Sequence, residues 1–302
     1  MNAVISAEGL VKAFGEHRAV DGIDLDVAAG QVFGFLGPNG AGKSTTIRML
    51  LGLFLPTSGR VEVFGSDVRR HGTDVRRRIG YLPGELALYP KLTGREYLDR
   101  FARMRGGSTV RRAALETRFG ADLDRPVHTL SKGNRQKIGL VAAFMHDPEL
   151  LILDEPTSGL DPLLQREFAA LLEETVARGR TVFLSSHDLD EVQRLAHQVA
   201  IIREGRIVVS DTIEALRGRS PRTIVLTLRA PVDVETFGGL PGVQVMSVEP
   251  PRVSFRVDGA EDGVGRLFEA AVPLGIADVS ARTANLEELF LTFYSPEDAH
   301  VG

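Results

Sequence analysis

The stretch LGPNGAGKSTT, residues 36–46, limits what this chain can fold into more than any other. It carries glycines at 37, 40 and 42 followed by Lys43 and Ser44, the spacing G-x-x-x-x-G-K-[ST]. Such a loop works where backbone N–H groups close around phosphate oxygens, between a buried strand and the first turn of a helix. The flanks supply both: QVFGFLG reads as a short buried strand and KSTTIRMLLGL as a helix. Gly37, Pro38, Asn39, Gly40, Ala41, Gly42 and Thr45 are therefore expected around a nucleoside triphosphate. Lys43 is expected on its terminal phosphates and Ser44 on Mg²⁺. The sequence holds no N-K-x-D guanine-reading motif, which favours ATP over GTP.

Two further stretches suit the same chemistry. In ELLILDEP an apolar run ends in Asp154, placing a carboxylate at the end of a buried strand, where it can hold Mg²⁺ through water. Glu155 follows and can polarise an attacking water as general base. In LSKGNRQ, residues 130–136, Ser131 and Gly133 stand at the entrance to a helix. Unpaired N–H groups and the positive dipole end make that a second place for an anion, far from the first along the chain.

Hydrophobic alternation organises the remainder. VISAEGLVKAF and AVDGIDLDVAAG alternate as half-buried antiparallel strands do, whereas ELLILD and TVFLSSH are continuous apolar runs, each followed by a helix, as buried parallel strands read. From Thr93 to Phe119 the pattern is helical, broken at Gly106 and Gly107. The expected fold class is α/β: a P-loop ATPase domain over 1–217 with a helical subdomain at about 84–147. After RGRSPR the style changes, and a boundary near Gly218 sets off a small α+β domain over 218–302, ferredoxin-like. Its expected strands are TIVLTLR, VQVMSVE, RVSFRV and IADVSAR; its helices are DGVGRLFEAAVPLG and NLEELFLTFY. A chain of 302 residues is long enough for two cores. With no Cys there is neither a disulfide framework nor a thiolate metal site. No apolar run approaches the ~18 residues of a membrane span, so the chain is expected to be soluble by itself.

Taken in order, GPNGAGKST, LSKGN, LLILDEP, SGLD at 158–161 and SSHD around His187 carry a specific resemblance. From about residue 3 to 215 the chain resembles the ATPase subunit of an ABC transporter. The resemblance implies ATP and Mg²⁺ as cofactors, with Lys43, Glu155 and His187 in catalysis and Ser44 and Asp154 on the metal. It makes LSKGN the signature motif, Asp161 part of the D-loop, His187 the switch histidine and Phe14 the aromatic that stacks on adenine. In this family two ATPase domains pack head to tail, so Ser131 and Gly133 would bind the γ-phosphate held by the partner chain's Lys43. The implied partners are a second ATPase subunit, as a homodimer, and separate transmembrane permease subunits. The implied location is peripheral, on the cytoplasmic face of the plasma membrane. The LEELFLTFY ending and the small C-terminal domain further resemble ATPases of ABC-2 type drug or antibiotic exporters. The alternative is a soluble ABC ATPase acting on ribosomes or nucleic acid; against it, the chain lacks a second ATPase copy, a coiled-coil arm and zinc-site cysteines, so no nucleic-acid partner is expected.

Two features depart from the family pattern. LSKGN places Lys132 where glycine is commonest, and YLPGEL places Gly84 where a glutamine usually contacts Mg²⁺ and the lytic water. Glu85 substitutes for that glutamine only if the loop shifts by a residue, and a water is the preferred replacement. Separately, twelve Lys or Arg stand against four acids between Arg69 and Arg112. That basic run reads as a solvated face or as a surface turned toward anionic lipid or an acidic partner; nucleic acid is a third reading, against which aromatics are sparse here and no recognition motif accompanies the charge.

Overall fold

The computed structural model describes residues 3–106, 109–219, 222–229, 236–257 and 262–283. The chain divides into two compact units, Met1–Asp211 and Thr212–Gly302.

The first unit opens with two long strands, β1 (Ala3–Phe14) and β2 (His17–Ala28), paired antiparallel. Their alternation is functional packing: Ile23, Leu25 and Val27 are buried while Asp24 and Asp26 face solvent. The chain continues through β3 (Val32–Leu36), α1 (Lys43–Leu50), β4 (Ser58–Val63), β5 (Ser66–Asp67), α2 (Val68–Arg77) and β6 (Ile79–Leu82). Three helices follow: α3 (Gly94–Met104), α4 (Arg112–Phe119) and α5 (Lys132–Phe144). Alternation then resumes with β7 (Leu150–Asp154), α6 (Pro162–Ala177), β8 (Thr181–Ser186), α7 (Leu189–Leu195), β9 (Gln198–Arg203) and β10 (Arg206–Thr212).

These strands form a four-stranded sheet, β2-β1-β4-β5, and a six-stranded sheet, β10-β9-β3-β8-β7-β6. In the second sheet β3 pairs parallel with β8 and β9, and β7 pairs parallel with β6 and β8. Every residue of β3, β7 and β8 is buried, as a strand covered on both faces requires. One core joins Ile5, Leu10 and Ile23 of the first sheet to Phe33, Phe35 and Phe183 of the second, with Ile47 and Leu50 of α1. Parallel strands run the same way, so the carboxyl ends of β3, β8 and β7 open at one edge, where ligands bind in open α/β sheets.

The three inserted helices have local stop and start signals. Thr93 and Glu96 form a capping box at the head of α3. Gly120 ends α4 in the left-handed conformation, and the Ser131 side chain caps α5. Several cations of the basic run have partners within this chain, those of Arg77 and Arg78 in exposed pairs. Arg78 grips Glu149 with two hydrogen bonds of 2.7 Å, Arg76 donates to the Leu51 carbonyl at 3.1 Å and Arg77 to Asp74 at 3.3 Å. Arg112 likewise pairs with Asp99 and Glu116.

The second unit contains α8 (Ile213–Arg219), β11 (Arg222–Leu228), β12 (Val243–Glu249), β13 (Arg252–Val257), α9 (Gly263–Ala271) and β14 (Ile276–Thr283). Its sheet is antiparallel with the order β12-β13-β11-β14, the order of a split β-α-β unit. Phe237 meets the Phe255 ring edge-on at 4.7 Å, over a core with Ile224, Leu226, Leu267 and Ala271. The division between units falls at Asp211–Thr212, ahead of the composition change near Gly218, because α8 groups with the residues that follow it. The closing NLEELFLTFY helix read from the sequence lies outside the described residues.

Candidate functional site

The glycine loop leaves β3 at Leu36 and enters α1 at Lys43. The Gly37 N–H donates to the Ser186 carbonyl at 3.2 Å, tying the loop to the end of β8. A Cβ at Gly37 would stand 2.3 Å from the Ile202 carbonyl oxygen, so the backbone passes too closely for any side chain. At Gly42 the constraint is double: φ is +111°, and a Cβ would stand 2.5 Å from the Ala19 carbonyl oxygen. Lys43 is buried, with Nζ donating to the Gly37 and Pro38 carbonyls and lying 3.5 Å from Glu155 Oε1. The loop is thus wound around its own ammonium, the cation expected on the terminal phosphates.

The acids lie opposite. Asp154 ends β7 with 4% of its surface exposed; its Oδ1 accepts from Ser185 Oγ, and among the described residues its Oδ2 has no hydrogen-bond donor. Glu155 has φ +51°, an uncommon conformation for a side chain of this size and one that concentrates at functional sites. Its N–H donates to the Ser185 carbonyl at 3.1 Å, and its Oε2 lies 2.8 Å from His187 Nδ1. Its Oε1 is buried without a hydrogen bond. Below His187, Ser186 Oγ donates to Glu191 and accepts from the Asp188 N–H, which braces the turn that carries the imidazole. Burial pushes the Glu191 carboxyl up from its ordinary range. Burial, and next the Asp154 charge, push the Tyr81 phenol up to about 12.

Two adjoining cavities of about 270 and 350 Å³ share Asn39, Ser44, Asp154 and Glu155 as walls. The smaller adds Pro38, Gly40, Gly42, Lys43, Thr45, His17 and Ala19. The larger adds Arg48, Tyr81, Pro83, Gly84, Glu85, Ser158 and His187. Loop, acids and histidine, separated by more than a hundred residues, thus meet around one space. Ser44 and the open oxygen of Asp154 are hard donors on a wall the two cavities share, a set that fits a divalent cation beside phosphates.

Six expected site residues line neither cavity: Gly37 and Ala41 within the glycine loop, and Phe14, Ser131, Gly133 and Asp161 away from it. Phe14 is 48% exposed, edge-on to Phe54 at 5.7 Å with Lys12 Nζ 5.0 Å from its centroid. Ser131 Oγ accepts from the Asn134 N–H, and Asp161 caps α6 by accepting from the Leu164 N–H. Gly133 packs on Gly159, where a Cβ would come within 2.8 Å of the carbonyl oxygen. Lys132 Nζ donates to Ser158 Oγ at 2.9 Å, and buried Gln136 donates to the Pro156 carbonyl, so α5 is fastened to the segment after Glu155. Sequence reading missed His17, Ala19, Arg48 and Tyr81, none of which belongs to a motif that spacing alone exposes, and gave no site role to Ser158, the first residue of SGLD. Ser185 and Ser186, written in SSHD, were the nearest available signal for the support beneath the acids.

A glycine loop between strand and helix, facing a carboxylate at the end of a second parallel strand, defines a nucleoside-triphosphate site of the P-loop class. The family model described as ABC transporter matches residues 20–158. The daunorubicin/doxorubicin resistance ATP-binding protein of Streptomyces peucetius is 38% identical over 95% of this chain and 91% of its own length. The Nod factor export ATP-binding protein I of Paraburkholderia xenovorans is 34% identical over 96% of each. A solved structure described as the ATP binding subunit of an ABC transporter is 30% identical, with a TM-score of 0.65 over 71% of this chain and 92% of its own. The chain belongs to the ABC transporter family as one of its ATP-hydrolysing cassettes.

Proposed function

We propose that this cassette hydrolyses MgATP as one half of a pair, most simply with a second copy of itself, and drives export through separate membrane-spanning subunits. The carrying observation is the incompleteness of the site. Lys43, Asp154, Glu155 and His187 line two adjoining cavities, whereas Ser131 and Gly133, at a helix entrance suited to an anion, line neither. A partner's signature helix would close the open side. The names of the relatives, one for drug resistance and one for export, support the outward direction. Among the described residues no helix is long and apolar enough to cross a membrane, which is compatible with a peripheral place on the cytoplasmic face beside permease subunits.

In this reading the loop N–H groups and Lys43 hold the phosphates, with Lys43 exchanging its Glu155 contact for them. Ser44 and Asp154 would hold Mg²⁺, which neutralises charge developing on the transferring phosphoryl group. Glu155 orients the attacking water and takes its proton on the oxygen that has no hydrogen bond. His187, at 2.8 Å, keeps the other oxygen in place and faces the γ-phosphate. Phe14 offers its exposed ring to adenine. Asp161 fixes the start of α6 next to SGLD, the stretch that would meet the partner.

The test exploits the absence of native Cys. Asn39→Cys on one chain and Lys132→Cys on another are both exposed positions; Asn134 is left alone because it holds Asp122 through two hydrogen bonds. With Glu155→Gln retaining ATP, oxidation in MgATP should give a product containing one of each chain. Without nucleotide the thiols should separate beyond the ~7 Å Cα spacing of a disulfide and the product should fade. A doubly substituted chain that closes only on itself would refute the pairing, as would an absence of cross-linked product.

A further inference from the structure

We infer that Glu85 is an outer ligand of the catalytic metal, reaching it through a bound water from the wall of the larger cavity; this rests on the MgATP reading above. Gly84 and Glu85 follow β6 and face the carboxylate end of β7. A Cβ at Gly84 would stand 3.2 Å from both Cγ and Oδ2 of Asp154, so a glutamine there would crowd the carboxylate it is meant to assist. The bare backbone at 84 lets the loop lie against Asp154, and the next side chain, Glu85, lines the cavity. In this proposal Glu85 acts from where the loop already places it, in place of the expected water alone.

Glu85 differs from the other acids of the cavity. Asp154 is engaged by Ser185, and Glu155 by His187 and Lys43. Among the described residues Glu85 makes no hydrogen bond or ion pair, although Arg48 lines the same cavity. A free carboxylate facing a triphosphate is repelled unless a cation lies between them. Mg²⁺ keeps several of its waters when bound, and those waters are donors for an oxygen at the distance of a second shell.

The Glu85 charge acts differently on metal and on nucleotide. Removing Glu85 should weaken metal binding in the presence of nucleotide, and it should leave metal-free nucleotide binding unchanged or tighter because a repulsion disappears. A residue that merely shaped the loop would weaken both together. The measurement is Mn²⁺ titrated into the full chain saturated with a non-hydrolysable ATP analogue and read by electron paramagnetic resonance, beside analogue binding in excess chelator. Glu85→Ala should lower Mn²⁺ affinity about tenfold, the lower end for loss of an outer-shell partner, with Glu85→Gln in between. An unchanged melting temperature without nucleotide certifies the fold. Equal Mn²⁺ affinity in all three proteins would overturn the inference, as would a parallel loss of metal-free binding. If the unsubstituted chain bound no Mn²⁺–nucleotide at all, the MgATP reading itself would fall, so the two failures are distinct.

Discussion

Replacing Glu155 by glutamine separates two jobs that one side chain holds. The change keeps shape, and the amide oxygen can still accept from His187 Nδ1, now 2.8 Å from Oε2. What disappears is the charge and the capacity to take a proton. Loss of a positioned base lowers kcat by at least ~100-fold, equivalent to about 2.7 kcal/mol of barrier. A second effect follows from Lys43, whose ammonium lies 3.5 Å from Glu155 Oε1, with 6% and 21% of the two side chains exposed. In the nucleotide-free chain that contact competes with phosphate for Lys43. A partly exposed pair contributes on the order of 1 kcal/mol, so its removal should tighten ATP binding by up to about fivefold. Single-turnover release of γ-phosphate and equilibrium ATP binding measure the two effects independently. Turnover near that of the unsubstituted chain would place the base elsewhere. Slowed hydrolysis with weakened ATP binding would show that Lys43 and Glu155 do not compete.

Gly42→Ala forces a Cβ to within 2.5 Å of the Ala19 carbonyl oxygen at φ +111°. Strain on the order of 1–3 kcal/mol should lower the thermal unfolding midpoint and abolish nucleotide binding; an unchanged melt would mean the loop relaxes freely. His146 is held down to about 4, first by burial and then by the Arg105 charge, against an ordinary 6.5. Its folded state therefore binds the proton less readily than the unfolded chain, and stability present above pH 6.5 is lost as pH falls toward 4. Urea midpoints of His146→Gln should show a flatter decline across that window, and superimposable pH profiles would remove His146 from the acid sensitivity.

The patterns that are local in the chain were legible in it. Loop spacing at 37–44 follows from what a phosphate demands of backbone N–H groups, and the apolar runs ending at Asp154 and before His187 follow from strands buried on both faces. The caps at Thr93, Ser131 and Asp161 are single side chains satisfying N–H groups a few residues ahead, which a short window contains. Periodicity reports which face of an element is buried, but it carries no information about which element lies next to it. Only tertiary structure set β8 between β3 and β7, and that order is what brings Lys43, Glu155 and His187 together. The same long-range packing put α8 with the second unit and left Ser131 and Gly133 off the cavities. It also placed Glu85 on the cavity wall, because the approach of Gly84 to Asp154 is a contact across seventy residues of chain, set by the parallel pairing of β6 with β7 and by no pattern within YLPGEL itself.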